Sequence, residues 1–328
     1  MRAVLFRKFG PLDSAAVENV PDPVPAAGEL MIDVKAVPVN YVDTVIIAGK
    51  YQFKPALPFI PGKGPCGIVV GMGPGVQDWS IGDRVLAMAE SGGYAEKACV
   101  SAAQCYRLPD GMSFEQGSAI SLAYDTAWFG LRERGRIAPG ETVLVLGATG
   151  AVGSAAIQLA KAMGARAFAA VSSPAKAPSV LASGADAIVD LSVANLRDAL
   201  RDQVFALTDG KGVDIVLDML GGDIFDAALR AVAWRGRLVV IGFAAGRIPE
   251  VKANYLLVKN MEVSGLQISD YRKRKPEMLR ACFDEVFRFF EAGLVKPGQV
   301  SPFPIDQYAE ALQGLAERRL PGRVVLIP

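Results

Sequence analysis

Histidine is absent from this chain of 328 residues. That excludes Ser-His-Asp and Cys-His nucleophile systems, His-ligated metals, HExxH zinc sites and a histidine general base. Any chemistry must use other groups or be carried by a cofactor. Cysteine is scarce: Cys66, Cys99, Cys105 and Cys282 are the four present. No two form a CxxC pair, and the spacing matches no zinc ribbon or disulfide framework. Free thiols in a reducing cytosol are the expected state. Neither sign of charge dominates, since 35 Lys plus Arg stand against 34 Asp plus Glu. The balance leaves no electrostatic footprint for nucleic acid or an anionic membrane. Long apolar runs are lacking as well. A membrane span needs about 18 such residues, and the longest candidate, 151–171, is broken by Lys161 and Arg166. At the start of the chain, Arg2, Arg7 and Lys8 place charge where a signal peptide would need its apolar core. A soluble cytoplasmic protein is expected.

What is present suits a globular protein, with 51% hydrophobic and 21% charged residues. At roughly 150 residues per domain, the length suggests two domains. Residues 4–6, 30–39, 67–70, 84–88 and 95–100 read as short strands separated by Pro and Gly clusters. They suggest a small barrel or open β domain. The glycines of 71–75 have no helix after them and read as a plain turn. From about Tyr124 short apolar runs alternate with helix-length segments. Strands are expected at 142–147, 166–171, 187–190, 213–218 and 238–242, with a sixth at 262–266 on an edge. Alternating βα units imply a doubly wound parallel sheet. The free edge would be able to pair with a second subunit, which hints at a homodimer through 262–266. The basic run 271–275 reads as a solvated loop. Helices at 276–292 and 307–317 and a strand at 323–327 complete a tail expected to return to the first domain. The expected divisions are 1–123, 124–266 and 267–328.

The sharpest local signal is Val143-Leu144-Val145-Leu146-Gly147-Ala148-Thr149-Gly150-Ala151-Val152-Gly153. An apolar strand runs into a glycine turn and then a helix. Gly150 would let the backbone approach a pyrophosphate, Gly153 would let the helix pack close to the strand, and the helix N-terminus would face the phosphates. Ala148 replaces the first glycine of the usual GxGxxG. The next strand decides the cofactor. An NAD-preferring site ends it with Asp or Glu for the ribose 2′-hydroxyl. Here it ends with Ser172, Ser173 and Lys176 and no carboxylate, which suits a 2′-phosphate. A charge-assisted hydrogen bond contributes roughly 1.5–3 kcal/mol, one to two decades of preference. NADP(H) is therefore expected. Capping of the next helix by the two serines is compatible with this role.

Several further motifs run in one order. They are Val39-Asn40-Tyr41-Val42-Asp43-Thr44, Gly49-Lys50-Tyr51, Pro61-Gly62, Gly67-Ile68-Val69, Gly82-Asp83-Arg84-Val85 and Gly92-Gly93-Tyr94-Ala95-Glu96. Leu108-Pro109-Asp110-Gly111, Pro139-Gly140-Glu141, Gly210-Lys211-Gly212-Val213-Asp214, Gly242-Phe243-Ala244 and Pro321-Gly322-Arg323-Val324 follow. The chain resembles, over essentially its whole length, the zinc-free quinone oxidoreductases of the medium-chain dehydrogenase/reductase superfamily, the zeta-crystallin-like group. Zinc-dependent relatives carry a catalytic Cys in the segment that reads Asn40-Tyr41-Val42-Asp43 here. They have a His-Glu pair where Lys63-Gly64 stands, and a four-Cys lobe after the Gly-Asp-Arg-Val segment. No metal site is expected.

The resemblance implies an α/β protein with a GroES-like β-barrel catalytic domain plus a Rossmann cofactor domain, acting with NADPH. It implies that Asn40 and Thr126 line the nicotinamide pocket and that Thr149, Gly150, Ala151 and Val152 form the pyrophosphate loop. Ser172, Ser173 and Lys176 would hold the 2′-phosphate, and Gly242, Phe243 and Ala244 would lie beside the nicotinamide ribose. Leu266, Gln267 and Arg323 would also face the cofactor. Tyr41, Tyr51 and Lys63 are the substrate-pocket residues, with Asn40, Tyr51 and Thr126 closest to catalysis. Lys63 reads first as a solvent-facing lysine and second as a group steering an anionic substrate or the cofactor. Asp43 reads as a buried partner of an arginine such as Arg84. Relatives often carry an acidic residue at Gly64 and some a tyrosine at Val45. The implied reaction is reduction of a quinone, which needs no strong general acid. Reduction of an activated C=C bond in an enone, acrylate or enoyl thioester is the alternative, with Tyr51 or Tyr41 as proton donor. A non-catalytic NADPH-binding role is a third.

Overall fold

A computed structural model of the protein describes residues 1–52 and 54–328, and these form two compact units. The first comprises Met1–Leu122, Ser269–Phe287 and Pro297–Pro328, and the second Ala123–Ile268 and Arg288–Lys296. The tail is thus shared. Its helix Pro276–Glu291 crosses the division, and the short stretch 288–296 groups with the second unit.

The first unit is built on a seven-stranded sheet. Its central strand is Glu29–Pro38, which alternates buried and half-buried positions along most of its length. It pairs antiparallel with Cys66–Met72, with Lys97–Ser101 and with the closing strand Arg323–Ile327. Arg84–Ala87 and Cys105–Arg107 extend the sheet on one side. Val300–Pro304 forms the other edge, parallel to Arg323–Ile327. Pro302 and Pro304 are tolerated there because an edge strand has one row of N–H groups with no ladder partner to lose. Phe6, Leu30, Ile32, Ile47, Val85, Tyr94 and Leu326 are fully buried in its core. Each large apolar side chain buried this way contributes roughly 1.5–3 kcal/mol before entropy is counted.

The second unit is a six-stranded sheet, parallel throughout. In spatial order the strands are Ala187–Asp190, Arg166–Val171, Thr142–Leu146, Val213–Asp218, Val232–Val240 and Glu262–Gly265. The chain winds outward from Thr142–Leu146 in one direction, then crosses back and winds outward in the other. The reversal lies between Thr142–Leu146 and Val213–Asp218. Thr142–Leu146 is buried at all five positions, the signature of a parallel strand covered on both faces. Phe168, Leu144, Val216, Phe225 and Leu238 anchor the core. Glu262–Gly265 is an edge strand.

One sequence expectation fails here. The basic run is not a solvated loop. Residues Ile268–Arg274 form a helix, and Arg272 within it is 3% exposed. A helix also forms at Tyr41–Ile47, where no helix is expected. No helix among the described residues is long and apolar enough to cross a membrane.

Candidate functional site

In an open parallel sheet, ligands bind beyond the carboxyl ends of the strands where the winding reverses. The registers align those ends. Leu146 pairs with Ala170 and with Asp218, Asp218 with Val240, and Val240 with Gly265. The residues that follow therefore share one edge of the second unit: the Gly147–Gly150 turn, Ser172 and Ser173, Gly242 to Ala244, and Leu266 with Gln267.

The glycine turn explains its own sequence. Gly147 has φ +79°, a left-handed conformation that glycine adopts without strain. The tight turn thus falls one residue before the motif's usual first glycine, and Ala148 is free to be a buried side chain. The Gly150 N–H donates to the Gly147 carbonyl at 3.0 Å. At Gly153 a Cβ would lie 2.3 Å from the Gly147 oxygen and 2.7 Å from the Ala148 Cα. Only glycine lets the helix Ala151–Ala162 approach the strand end this closely. That helix begins at Gly150 with no side-chain cap and no acidic residue in its first turn. Thr149 and Gly150 are exposed, and Ala151 and Val152 half-buried. The result is an open cradle of backbone N–H groups at the positive end of a helix dipole, which fits a pyrophosphate.

One strand over, Lys176 Nζ donates to Ser172 Oγ at 3.0 Å. Ser173 Oγ accepts the Ala175 N–H at 3.3 Å and so caps the next helical turn. Hydroxyls and an ammonium converge at the strand end without a carboxylate, which fits a 2′-phosphate better than a free 2′-hydroxyl. Phe243 is 43% exposed and Gln267 is exposed, whereas Leu266 is buried. Thr126 lies in the helix Phe114–Trp128 and donates to Asp125 Oδ1 at 3.2 Å. Sequence reasoning missed Asp218. Its buried carboxylate accepts the Leu220 N–H at 2.8 Å and the Gly221 N–H at 2.9 Å, fixing the loop at the reversal point. Burial pushes this carboxyl up, against the pull of those two N–H groups.

The first unit holds a second group of candidates. Asn40 is buried at the start of the helix Tyr41–Ile47. Its Oδ1 accepts from Arg323 Nη2 at 3.1 Å, which ties two implied cofactor residues together. Its backbone N–H donates to Asp43 Oδ2 at 2.9 Å, and the Tyr94 hydroxyl donates to the same oxygen at 3.1 Å. Asp43 is therefore buried, but its partner is not Arg84, which donates instead to the carbonyls of Pro109, Asp110 and Met112. Burial pushes the Asp43 carboxyl up to about 6, even though the Asn40 N–H, the Lys63 ammonium and Tyr94 all favour its charged form.

A cavity of about 40 Å³ opens beside Asp43, with Tyr51, Lys63 and Glu90 on its wall. Lys63 is not a solvent-facing lysine, since it is 3% exposed and ion-paired with Glu90. Its ammonium stands 5.8 Å from the Tyr51 ring centroid. Glu90 Oε1 accepts from Arg272 Nη1 at 3.0 Å, while Oε2, which binds Lys63, also accepts from the Ser269 hydroxyl at 3.2 Å. Burial pushes the Glu90 carboxyl up, but Arg272 and Lys63 together outweigh it and hold it at about 2. Glu90 and Arg272 carried no local signal in the sequence, because they are 182 residues apart. Gly64 has φ +70°, and a Cβ there would lie 2.7 Å from Ser121 Oγ. An acidic side chain here would be strained by that positive φ and would crowd Ser121. Tyr41 is 59% exposed and does not line the cavity.

Among the described residues no group of three or more His, Cys, Asp or Glu is placed to hold a metal ion. Residues 26–110 match the family model described as alcohol dehydrogenase GroES-like domain, and residues 151–284 match the one described as zinc-binding dehydrogenase. A quinone oxidoreductase-like protein 2 homolog of Nematostella vectensis is 36% identical over 332 residues, covering 99% of this chain and 88% of that protein. The quinone oxidoreductase of Pseudomonas syringae pv. Tomato superposes with a TM-score of 0.90 at 31% identity, covering 100% of this chain and 99% of that one. The Escherichia coli quinone oxidoreductase, solved in complex with NADPH, superposes with a TM-score of 0.90 at 29% identity, covering all of both chains. With the glycine cradle, the parallel sheet and the GroES-like unit in place, the chain belongs to the quinone oxidoreductase family of the medium-chain dehydrogenase/reductase superfamily.

Proposed function

We propose that the protein reduces quinones with NADPH and uses no metal. One observation carries the cofactor choice: the strand beside the glycine cradle ends in Ser172, Ser173 and Lys176, with Lys176 Nζ already 3.0 Å from Ser172 Oγ. The E. coli relative solved with NADPH supports the same choice. When bound, NADPH supplies a hydride. The backbone of Thr149 to Val152 holds the pyrophosphate, and Ser172, Ser173 and Lys176 hold the 2′-phosphate. Gly242, Phe243, Ala244, Leu266 and Gln267 shape the place of the nicotinamide ribose. We assign Asn40, Thr126 and Arg323 to the nicotinamide, where the Arg323–Asn40 hydrogen bond fixes the Asn40 amide. Tyr51 and Lys63 form the substrate pocket. The protein's contribution is alignment and exclusion of water. A reduced quinone oxygen takes its proton from water, so a site without histidine suffices.

Reduction of an activated C=C bond is the second reading. Tyr51 on the cavity wall, with its ring face toward the Lys63 ammonium, favours it, because that reaction needs a proton donor at the α-carbon. A panel separates the two. Purified protein with NADPH is offered a benzoquinone, an enone and an acrylate. Turnover of the quinone alone supports the main reading. Turnover of the alkenes alone, abolished by Tyr51→Phe, supports the second. We further propose a homodimer in which the Glu262–Gly265 edge pairs with its counterpart, supported by that strand's free edge. A reducing, cytoplasmic location is supported by the four cysteines, three of them buried and none in a disulfide among the described residues.

A further inference from the structure

Lys63 is the feature of the first unit that the alignment of cofactor and acceptor leaves unexplained. An ammonium carries three N–H donors. One is taken by Glu90, and the Tyr51 ring faces the ammonium at 5.8 Å. The side chain is buried and lines a cavity of about 40 Å³, room for a polar terminus rather than a whole ring. Glu90 is an acceptor only, bound at one oxygen by Arg272 and at the other by Lys63 and Ser269, and has no donor to offer that terminus. Asp43 also faces the cavity, and its Oδ2 is occupied by the Asn40 N–H and the Tyr94 hydroxyl. The cavity therefore presents a buried, oriented cation with hydrogen-bonding capacity left over, braced from behind by a carboxylate that a second buried cation holds in place.

We propose that Lys63 is the oxyanion-binding group of the substrate pocket, and that Glu90, held by Arg272 and Ser269, is its positioning residue. The assignment rests on the quinone-reductase reading and deepens it. A quinone that has accepted a hydride, two electrons and one proton, is a hydroquinone monoanion. Its negative oxygen, seated against the Lys63 ammonium, is stabilised as it forms and then takes one proton from water to give the neutral hydroquinone. A fixed cation in a site shielded from water is worth more to such an oxygen than one in bulk solvent, and needs no reorganisation when the charge develops. The pocket thus selects acceptors whose reduction leaves charge on an oxygen at the end of a conjugated carbonyl.

The test uses para-nitrophenol, whose ionised form absorbs in the visible and mimics the monoanion. Its ionisation is titrated when bound to the whole protein in the presence of NADPH. The titratable or charged groups facing the probe are Lys63, Asp43, Tyr51 and Glu90, with Arg272 behind Glu90. In the wild type the bound phenol is expected to ionise about one pH unit lower than free. Lys63→Met should abolish the shift and Lys63→Arg retain it, with NADPH affinity unchanged in both. With a benzoquinone, Lys63→Met should cut kcat about 10–100-fold and affect KM less, while Lys63→Arg stays within about fivefold. A purely structural lysine would move neither the phenol titration nor kcat apart from stability. The proposal is overturned if the wild type does not bind the phenol, binds it without a shift, or if Lys63→Met retains both shift and turnover. If the wild type reduces no quinone yet shifts the phenol through Lys63, the quinone reading fails and the oxyanion site stands.

Discussion

Replacing Asp43 by Asn should make the protein more stable near neutral pH and leave it unchanged in acid. Both hydrogen bonds to Asp43 arrive at one oxygen, Oδ2. An asparagine can place its carbonyl oxygen there and keep both. What changes is the titration. Burial raises the Asp43 carboxyl from its ordinary 3.8 to about 6. Between those values the folded protein binds more protons than the unfolded chain, so stability falls as pH rises through that window and is level above it. The gap corresponds to about 3 kcal/mol, at roughly 1.4 kcal/mol per pH unit. The expected gain is about 2–3 kcal/mol at pH 7.5, vanishing below pH 4. Urea unfolding of both proteins across that range measures it, and the difference between them cancels the other titrating groups. A difference that is flat in pH, or an asparagine variant that loses ground as pH rises, would refute the burial argument.

Gly153→Ala places a Cβ 2.3 Å from the Gly147 carbonyl oxygen. It should cost about 1–3 kcal/mol by overpacking and raise the NADPH Kd at least about tenfold, measured by calorimetry. Lys176→Met removes a half-buried ammonium from the 2′-phosphate site, and the NADPH Kd should rise about 5–30-fold with NADH binding unchanged. Glu90→Gln leaves Lys63 and Arg272 buried without their carboxylate and should cost about 3–5 kcal/mol in urea unfolding. Because Glu90 is held at about 2, its contribution is present above its ordinary range and fades as pH falls toward 2. The variant should therefore converge on the wild type in acid.

The cofactor unit was legible because parallel strands covered on both faces read as unbroken apolar runs, and because the glycine turn is local. Ala148 obscured nothing, since the turn is made at Gly147. The first unit was harder. The helix Tyr41–Ile47 contains Val42, Thr44, Val45, Ile46 and Ile47, a composition that favours strands. It is helical because Asp43 binds the Asn40 N–H at its start and its apolar side is buried. Val300–Pro304 was hidden by its prolines, which only an edge position permits. The burial of Lys63 and Arg272 was invisible because Glu90, which neutralises both, reaches them across 27 and 182 residues. Charge pairing at that range leaves no periodic mark, so a basic run looks solvated until the fold supplies its partner.

The most direct measurement is kcat/KM for NADPH and for NADH at a fixed, saturating benzoquinone concentration, followed by nicotinamide absorbance. Hydroxyls and an ammonium in place of a carboxylate at the second strand end require NADPH to be preferred at least about tenfold. Equal use of the two cofactors, or a preference for NADH, would contradict the 2′-phosphate site at Ser172, Ser173 and Lys176.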